Sequence, residues 1–478
     1  MIVIKPNHVA TERTSSTIRA VSNKRTVSNK RTVSNKRTVS NKRTGAVAIL
    51  VAIMLVMLMG VTALAIDLGY IILTKTSMQA ATDAACLSGG TELIEGLGVD
   101  PIPSEFVAVS AAAVAKQYAA FHRNGDVSES YIDVDRDVRF GYASFNKTTG
   151  EWQRYWGSQI PGVGGYNMIG VTLKRHITGS ANGDSPLPLI FAPVLGRFTS
   201  SLETTATAVI MPANGSKVGV GDQSTSEVLP FVVRKTLWQK YLRAQSYYEV
   251  HGLPTDPVAV SEIMDIETNN YRESQPTGEP LFGHWVIKNN QEPVFKQDFA
   301  DIWSCDCNCD EAYSPTDFGP DGYLEIDIFP RDDYTSGNFG TVDIGSGSNS
   351  TSDISRQILY GISEEDLSYL PNSSLSLPMI LQGDTGVSAG IKDELEMIYG
   401  ECRAMILFSQ MENPGNNASF EVVDMAGIRV MHVEMTGALE YKHLSVQICQ
   451  STLGNSIPDL DRPIDRDTTV FTPLILID

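Results

Sequence analysis

Cys305, Cys307 and Cys309 stand at alternate positions and form the most chemically pointed segment of the chain. In an extended backbone their sulfurs project to one side, flanked by Asp306, Asp310 and Glu311. Three thiolates suit zinc, but no CxxC pair or nearby histidine completes a tetrahedron. Three chemistries stay open: disulfides, with Cys402 and Cys449 as partners; a metal site; or redox-active thiols. A second cluster, Asp317, Asp321, Glu325 and Asp327 around Gly322, offers oxygen ligands for calcium without the EF-hand spacing. Solvated loop acids are the alternative. Asp343-Ile-Gly345-Ser346-Gly-Ser348 approaches the D-x-S-x-S metal-ion-dependent adhesion pattern, but Gly345 holds the first serine place, which favours a plain Gly/Ser loop.

Seven histidines are scattered without an HExxH pair, and no G-x-S-x-G elbow or Walker phosphate loop occurs. The chain is therefore read as a non-enzyme with no cofactor and no small-molecule substrate. A hydrolase using the acids between Asp317 and Asp333 is the weakest of the readings.

The element that must position everything else is Gly45–Ile66, 22 residues without a charge. As a helix it is ~33 Å long at about 1.5 Å per residue, enough to cross ~30 Å of hydrocarbon. Residues 1–44 carry eleven Lys/Arg and one acid, Glu12, while the remainder sums to −29. Positive flanking charge stays on the cytoplasmic side. This predicts a single-pass protein of the inner (cytoplasmic) membrane, N-terminus cytoplasmic and bulk extracytoplasmic. A cleaved secretory signal competes, because Ala63-Leu64-Ala65 fits the small-x-small cleavage pattern; the apolar run is longer than signal peptides use.

Val-Ser-Asn-Lys-Arg-Thr recurs four times, from Val21 to Thr44. Six polar residues bury no face, so a disordered basic tail is expected, attracted to anionic lipid at about 1 kcal/mol per basic residue. No aromatic residue is interleaved to stack on bases, and the rest of the chain is strongly acidic, which argues against nucleic acid.

Beyond the span, helix is expected through Ile71 to about Leu87, ended by Gly89-Gly90. A second helix is expected over Ser104–His122, N-capped by Ser104 and stopped by Gly125. Short strands are read at 131–135, 138–142, 169–173 and 206–211, then a linker at 213–227. A β-rich part, 228–478, follows, with helices near 237–250 and 392–399. Its strands are expected near 420–423, 428–435, 444–449 and 469–477. The class is α+β: a transmembrane helix and helical stalk, a β region to residue 212, then a β-rich extracytoplasmic domain.

The residues around the span resemble a family. Gly45-Ala-Val-Ala-Ile, the apolar run, Asp67-Leu-Gly69 and Met78-Gln79-Ala-Ala81-Thr-Asp83-Ala84-Ala-Cys86-Leu are similar to the N-terminal region of TadE/TadG-like proteins of Flp (Tad) pilus assembly. Met78 stands where the family pattern has Leu, and Cys86 where it has a third Ala. The resemblance covers residues 45–90 and implies a bacterial cell-envelope protein whose partners are the membrane and other pilus-assembly or envelope proteins. Type IV prepilins carry Glu five residues after the cleavage-site Gly; Leu50 stands there, so processing after Gly45 is not expected. Asp67 would mark the polar end of the span. The small-residue face at Ala81 and Ala84 would pack against a partner helix or against the chain's own domain. The runner-up is a pilus-independent anchored adhesion or binding module stabilised by disulfides or calcium.

Overall fold

A computed structural model describes residues 44–99, 101–219, 221, 224–251, 339–345, 350–413, 415, 417–436 and 443–477. It also describes short strands at 271–273, 284–286, 294–296 and 324–329. The basic repeats, Cys305, Cys307, Cys309, Asp317, Asp321, Gly322, Ser346 and Ser348 lie outside the described residues. Glu325 and Asp327 fall in the strand Leu324–Phe329.

The chain divides into two units, Met1–Val61 and Thr62–Asp478. In the first, the described residues belong to the opening of α1 (Thr44–Thr91). This opening part, residues 44–61, contains no proline and no charged side chain, and its side chains from Val47 to Val61 are exposed all round. A helix apolar on every face satisfies its own backbone polar groups and suits lipid rather than water. By length and composition it can cross a membrane.

In the second unit, the far half of α1 and α2 (Ser104–Ala120) cover a five-stranded antiparallel sheet. Its strands are β1 (Val138–Asn146), β2 (Glu151–Trp156), β3 (Met168–Arg175), β6 (Leu202–Val209) and Ile475–Leu476. The order is β2-β1-β3-β6, with Ile475–Leu476 beyond β6. Between β3 and β6 lie the short strands β4 (Leu187–Pro188) and β5 (Thr199–Ser200), which pair with each other. The C-terminal strand thus completes a sheet begun more than 300 residues earlier, through Ile475↔Val209 and Leu476↔Ala208.

Several expectations change. α1 does not break at Gly89-Gly90 but runs to Thr91. Residue Ser104 is not a cap: its hydroxyl donates to the Gly164 carbonyl at 2.9 Å, and Pro103 holds the cap position. Residues 131–135 form no strand; α3 (Val134–Asp137) is a single turn that sinks Asp137 beside Arg136 and Lys174, 2.7 and 2.9 Å away. Burial opposes the Asp137 charge, but hydrogen bonds from these two cations overcome it and lower its pKa. Within 213–227, expected as a linker, β7 (Ala213–Ser216) pairs with Leu375–Ser376 and Ser456–Pro458.

Five of the remaining strands form a small barrel. β8 (Val228–Arg234) pairs in parallel with Cys402–Glu412 and antiparallel with Phe339–Val342. Phe339–Val342 pairs with Met379–Asp384, which pairs with Ala418–Glu434, and that strand returns to Cys402–Glu412. The ring closes on itself, so these strands leave no open edge among themselves. Alternation in β8 explains the two cores. Val228 and Val232 join Ile406, Phe408 and Phe420. Phe231 and Val233 instead join Trp238, Tyr241 and Leu242 of α4 (Lys235–His251). The strands expected at 420–423 and 428–435 are one 17-residue strand, and 469–477 splits into Val470–Phe471 and Ile475–Leu476.

Candidate functional site

Met78, Ala81, Thr82, Ala85 and Cys86 recur at helical spacing along α1, and all five are fully buried. Gly89 and Gly90 extend the stripe by one more turn. The stripe lies in one core with Val107, Ala111, Ala115 and Ala119 of α2, Ile169 and Val171 of β3, and Ala206 and Ala208 of β6. Small side chains let two backbones and a sheet approach closely. A Cβ on Gly89 would sit 2.7 Å from the Ala111 carbonyl oxygen, and one on Gly90 would strike the Leu474 side chain.

Ala81 therefore faces the chain's own domain, where no partner helix can reach it, while Ala84 is half-buried. Polar members of the motif tie α1 to β6. The Thr82 and Thr204 hydroxyls are 2.7 Å apart in the interior. The Gln79 amide donates to Asp83 Oδ1 at 2.7 Å and to the Thr205 carbonyl at 3.3 Å. Cys86 donates its thiol to the Ile169 carbonyl at 3.4 Å, and burial pushes its pKa up to about 12. It is packed as a small apolar residue, not poised as a nucleophile.

Directly after the apolar run, Asp67 does something the sequence did not announce. It is 2% exposed. Its carboxylate accepts the backbone N–H groups of Ile190 (2.9 Å), Phe191 (3.0 and 3.1 Å) and Ala192. These three backbone N–H donors offset the cost of burying the charge. Asp67 is thus a clamp on a loop 123 residues away rather than a water-facing marker. Gly69 is exposed, and a Cβ there would meet nothing. The loop's signal was present in the sequence: Leu187–Gly196 contains no charged residue.

Cys402 and Cys449 are joined to each other, with Cα atoms 5.8 Å apart. Neither is therefore the partner of the Cys305–Cys309 cluster. The bridge ties the start of Cys402–Glu412 to the residue after His443–Ile448, across the strand Ala418–Glu434 that pairs with both. Gly427 in that strand has no room for a side chain, because a Cβ would strike the Cys449 carbonyl.

Residues 45–92 match the family model Tad, described as Flp pilus-assembly TadE/G-like. No curated protein and no solved structure matches the chain. The matched residues coincide almost end for end with α1, Thr44–Thr91. The match associates this N-terminal region with Flp pilus assembly.

Proposed function

We propose that this TadE/G-like chain is a bitopic inner-membrane protein that supports Flp-type pilus assembly or surface attachment by binding and tethering. The basic tail faces the cytoplasm, and residues 67–478 are exported. The observation that carries the reading is the coincidence of the Tad match with one helix. The first part of that helix is apolar on all sides; the rest is cemented into the folded unit by Met78, Ala81, Thr82, Ala85 and Cys86. Export is supported by the Cys402–Cys449 bridge, which persists in an oxidising compartment, and by the charge asymmetry about the span.

Deletion of the coding region in the producing bacterium is expected to reduce surface pili, with recovery on expressing the full chain. Normal pili and normal attachment in the deletion strain would refute the proposal. A pilus-independent anchored binding module is favoured by one feature, the closed barrel with its disulfide, which needs no pilus protein to complete it. Intact pili with lost attachment would select that alternative.

A further inference from the structure

The apolar surface of α1 does not end at Asp67. Leu68, Ile72 and Leu73 are exposed beyond it, and Lys75 is the first exposed charge after the span. Asp67 itself is covered by the backbone of residues 190–192. From Gly45 to Thr74 the chain therefore runs 30 residues with one charge, and that charge is hidden. At about 1.5 Å per residue this is ~45 Å, the thickness of the hydrocarbon together with both headgroup layers.

The loop that hides Asp67 is itself apolar. Ile190 and Phe191 are exposed, as are Val194 (88%), Leu195 (76%) and Phe198 (67%). It is a defined hairpin, not a loose end. β4 and β5 form its base, and the Leu189 N–H donates to the Phe198 carbonyl at 2.9 Å. So many large apolar side chains gathered on one short loop mark an interaction surface.

We propose that residues 189–198 form a membrane wedge, seated at the headgroup–acyl boundary beside the exit of α1 and held there by Asp67. This rests on the reading of α1 as a membrane span. Lipid is the occupant because the loop's backbone is bonded to the helix at the level where the uncharged run ends. The exposed apolar surface continues past that level on α1 itself. Arg197 on the loop and Lys75 on the helix are exposed cations at the edge of this surface, where long basic side chains keep their heads among lipid phosphates. A second contact fixes the helix against rotation and tilt, which a single span does not.

The test uses the full chain in phosphatidylcholine–phosphatidylglycerol vesicles with brominated acyl chains. Leu195→Trp is compared with Thr148→Trp, placed in the exposed β1–β2 turn. The added emission at 195 is expected to fall roughly twofold or more in brominated vesicles, as for a side chain 5–10 Å into the boundary, while that at 148 stays unchanged. Equal behaviour at the two positions overturns the wedge. Shielding of position 195 from both bromine and aqueous acrylamide also overturns it, since protein then covers the loop. Adding Asp67→Ala to Leu195→Trp is expected to relieve the quenching, because the clamp is lost. Alkaline extraction of the same vesicles separates the two readings: a chain that is extracted refutes the span, and a retained chain with unquenched Trp refutes the wedge alone.

Discussion

Replacing Gly89 by alanine sets two effects of similar size against each other. Gly89 has ordinary helical backbone geometry, so alanine adopts it freely, and a helix interior gains about 1 kcal/mol from the exchange. Opposing this, the new Cβ would lie 2.7 Å from the Ala111 carbonyl oxygen, 2.9 Å from Ala115 Cβ and 3.1 Å from Ile169 Cδ1. The nearest of these atoms is backbone of α2, so the whole helix must retreat by roughly half an ångström, and close-packed interiors resist this. Overpacking of this kind costs about 1–3 kcal/mol. The clash wins, and Gly89→Ala is expected to destabilise the folded unit by about 1 kcal/mol net. Gly90→Ala is the internal control. There the nearest atoms are the far end of the Leu474 side chain, which can rotate away, so the helix gain survives and the change is neutral or slightly stabilising. Urea unfolding of the full chain in detergent, followed by near-ultraviolet circular dichroism, reads both. A Gly89→Ala protein more stable than its parent by the full helix gain would show that α2 does not lie against α1 at this separation.

Thr82→Val leaves the buried Thr204 hydroxyl without its 2.7 Å partner and is expected to cost about 1–3 kcal/mol. Thr82→Val with Thr204→Val should recover most of the loss, and the same urea midpoints check it. Reducing Cys402–Cys449, which are 47 residues apart in sequence, should lower stability by about 4 kcal/mol by freeing the unfolded chain. An unchanged midpoint in protein that mass spectrometry shows to be reduced would refute this. Burial of Glu434 opposes its charge, but the Thr436 hydroxyl, the Thr436 N–H and Lys392 all donate to it and lower its pKa from 4.5 to about 2. Its contribution is therefore complete above pH 4.5 and lost as pH falls toward about 2. Glu434→Gln should flatten that acid limb in a stability–pH series.

How legible the site was depends on the distance over which each cause acts. Helical spacing alone marks Met78, Ala81, Ala85 and Cys86 as one stripe, because adjacent turns of one helix decide it. What the stripe touches is a different matter. Ala81 reads equally well as a seat for another protein's helix or for α2, and only the positions of Ala111 and Ala115 decide between them. Gly89 and Gly90 read as a helix break because glycine is a poor helix former, yet tertiary packing overrides that preference, at Gly89 because the α2 backbone needs the space. Val422 and Ile428 looked like members of two strands, since the intervening Asp424 and Gly427 interrupt the apolar pattern. Asp424 is instead paired with Lys235 and Arg462 at 2.7 and 2.6 Å, and the strand runs through.

The order of residues was enough to establish the long apolar helix, the charge asymmetry about it, the α+β class and the Tad resemblance, because composition and short-range periodicity carry all four. It left open the partner of Asp67, the closure of the barrel, the return of Ile475–Leu476 to the first sheet and the pairing of Cys402 with Cys449. Each of these joins residues tens to hundreds of positions apart. Such contacts are selected by the packing of the whole unit, where buried polar groups must find donors and apolar faces must find cover, and no local pattern encodes which distant segment will supply them.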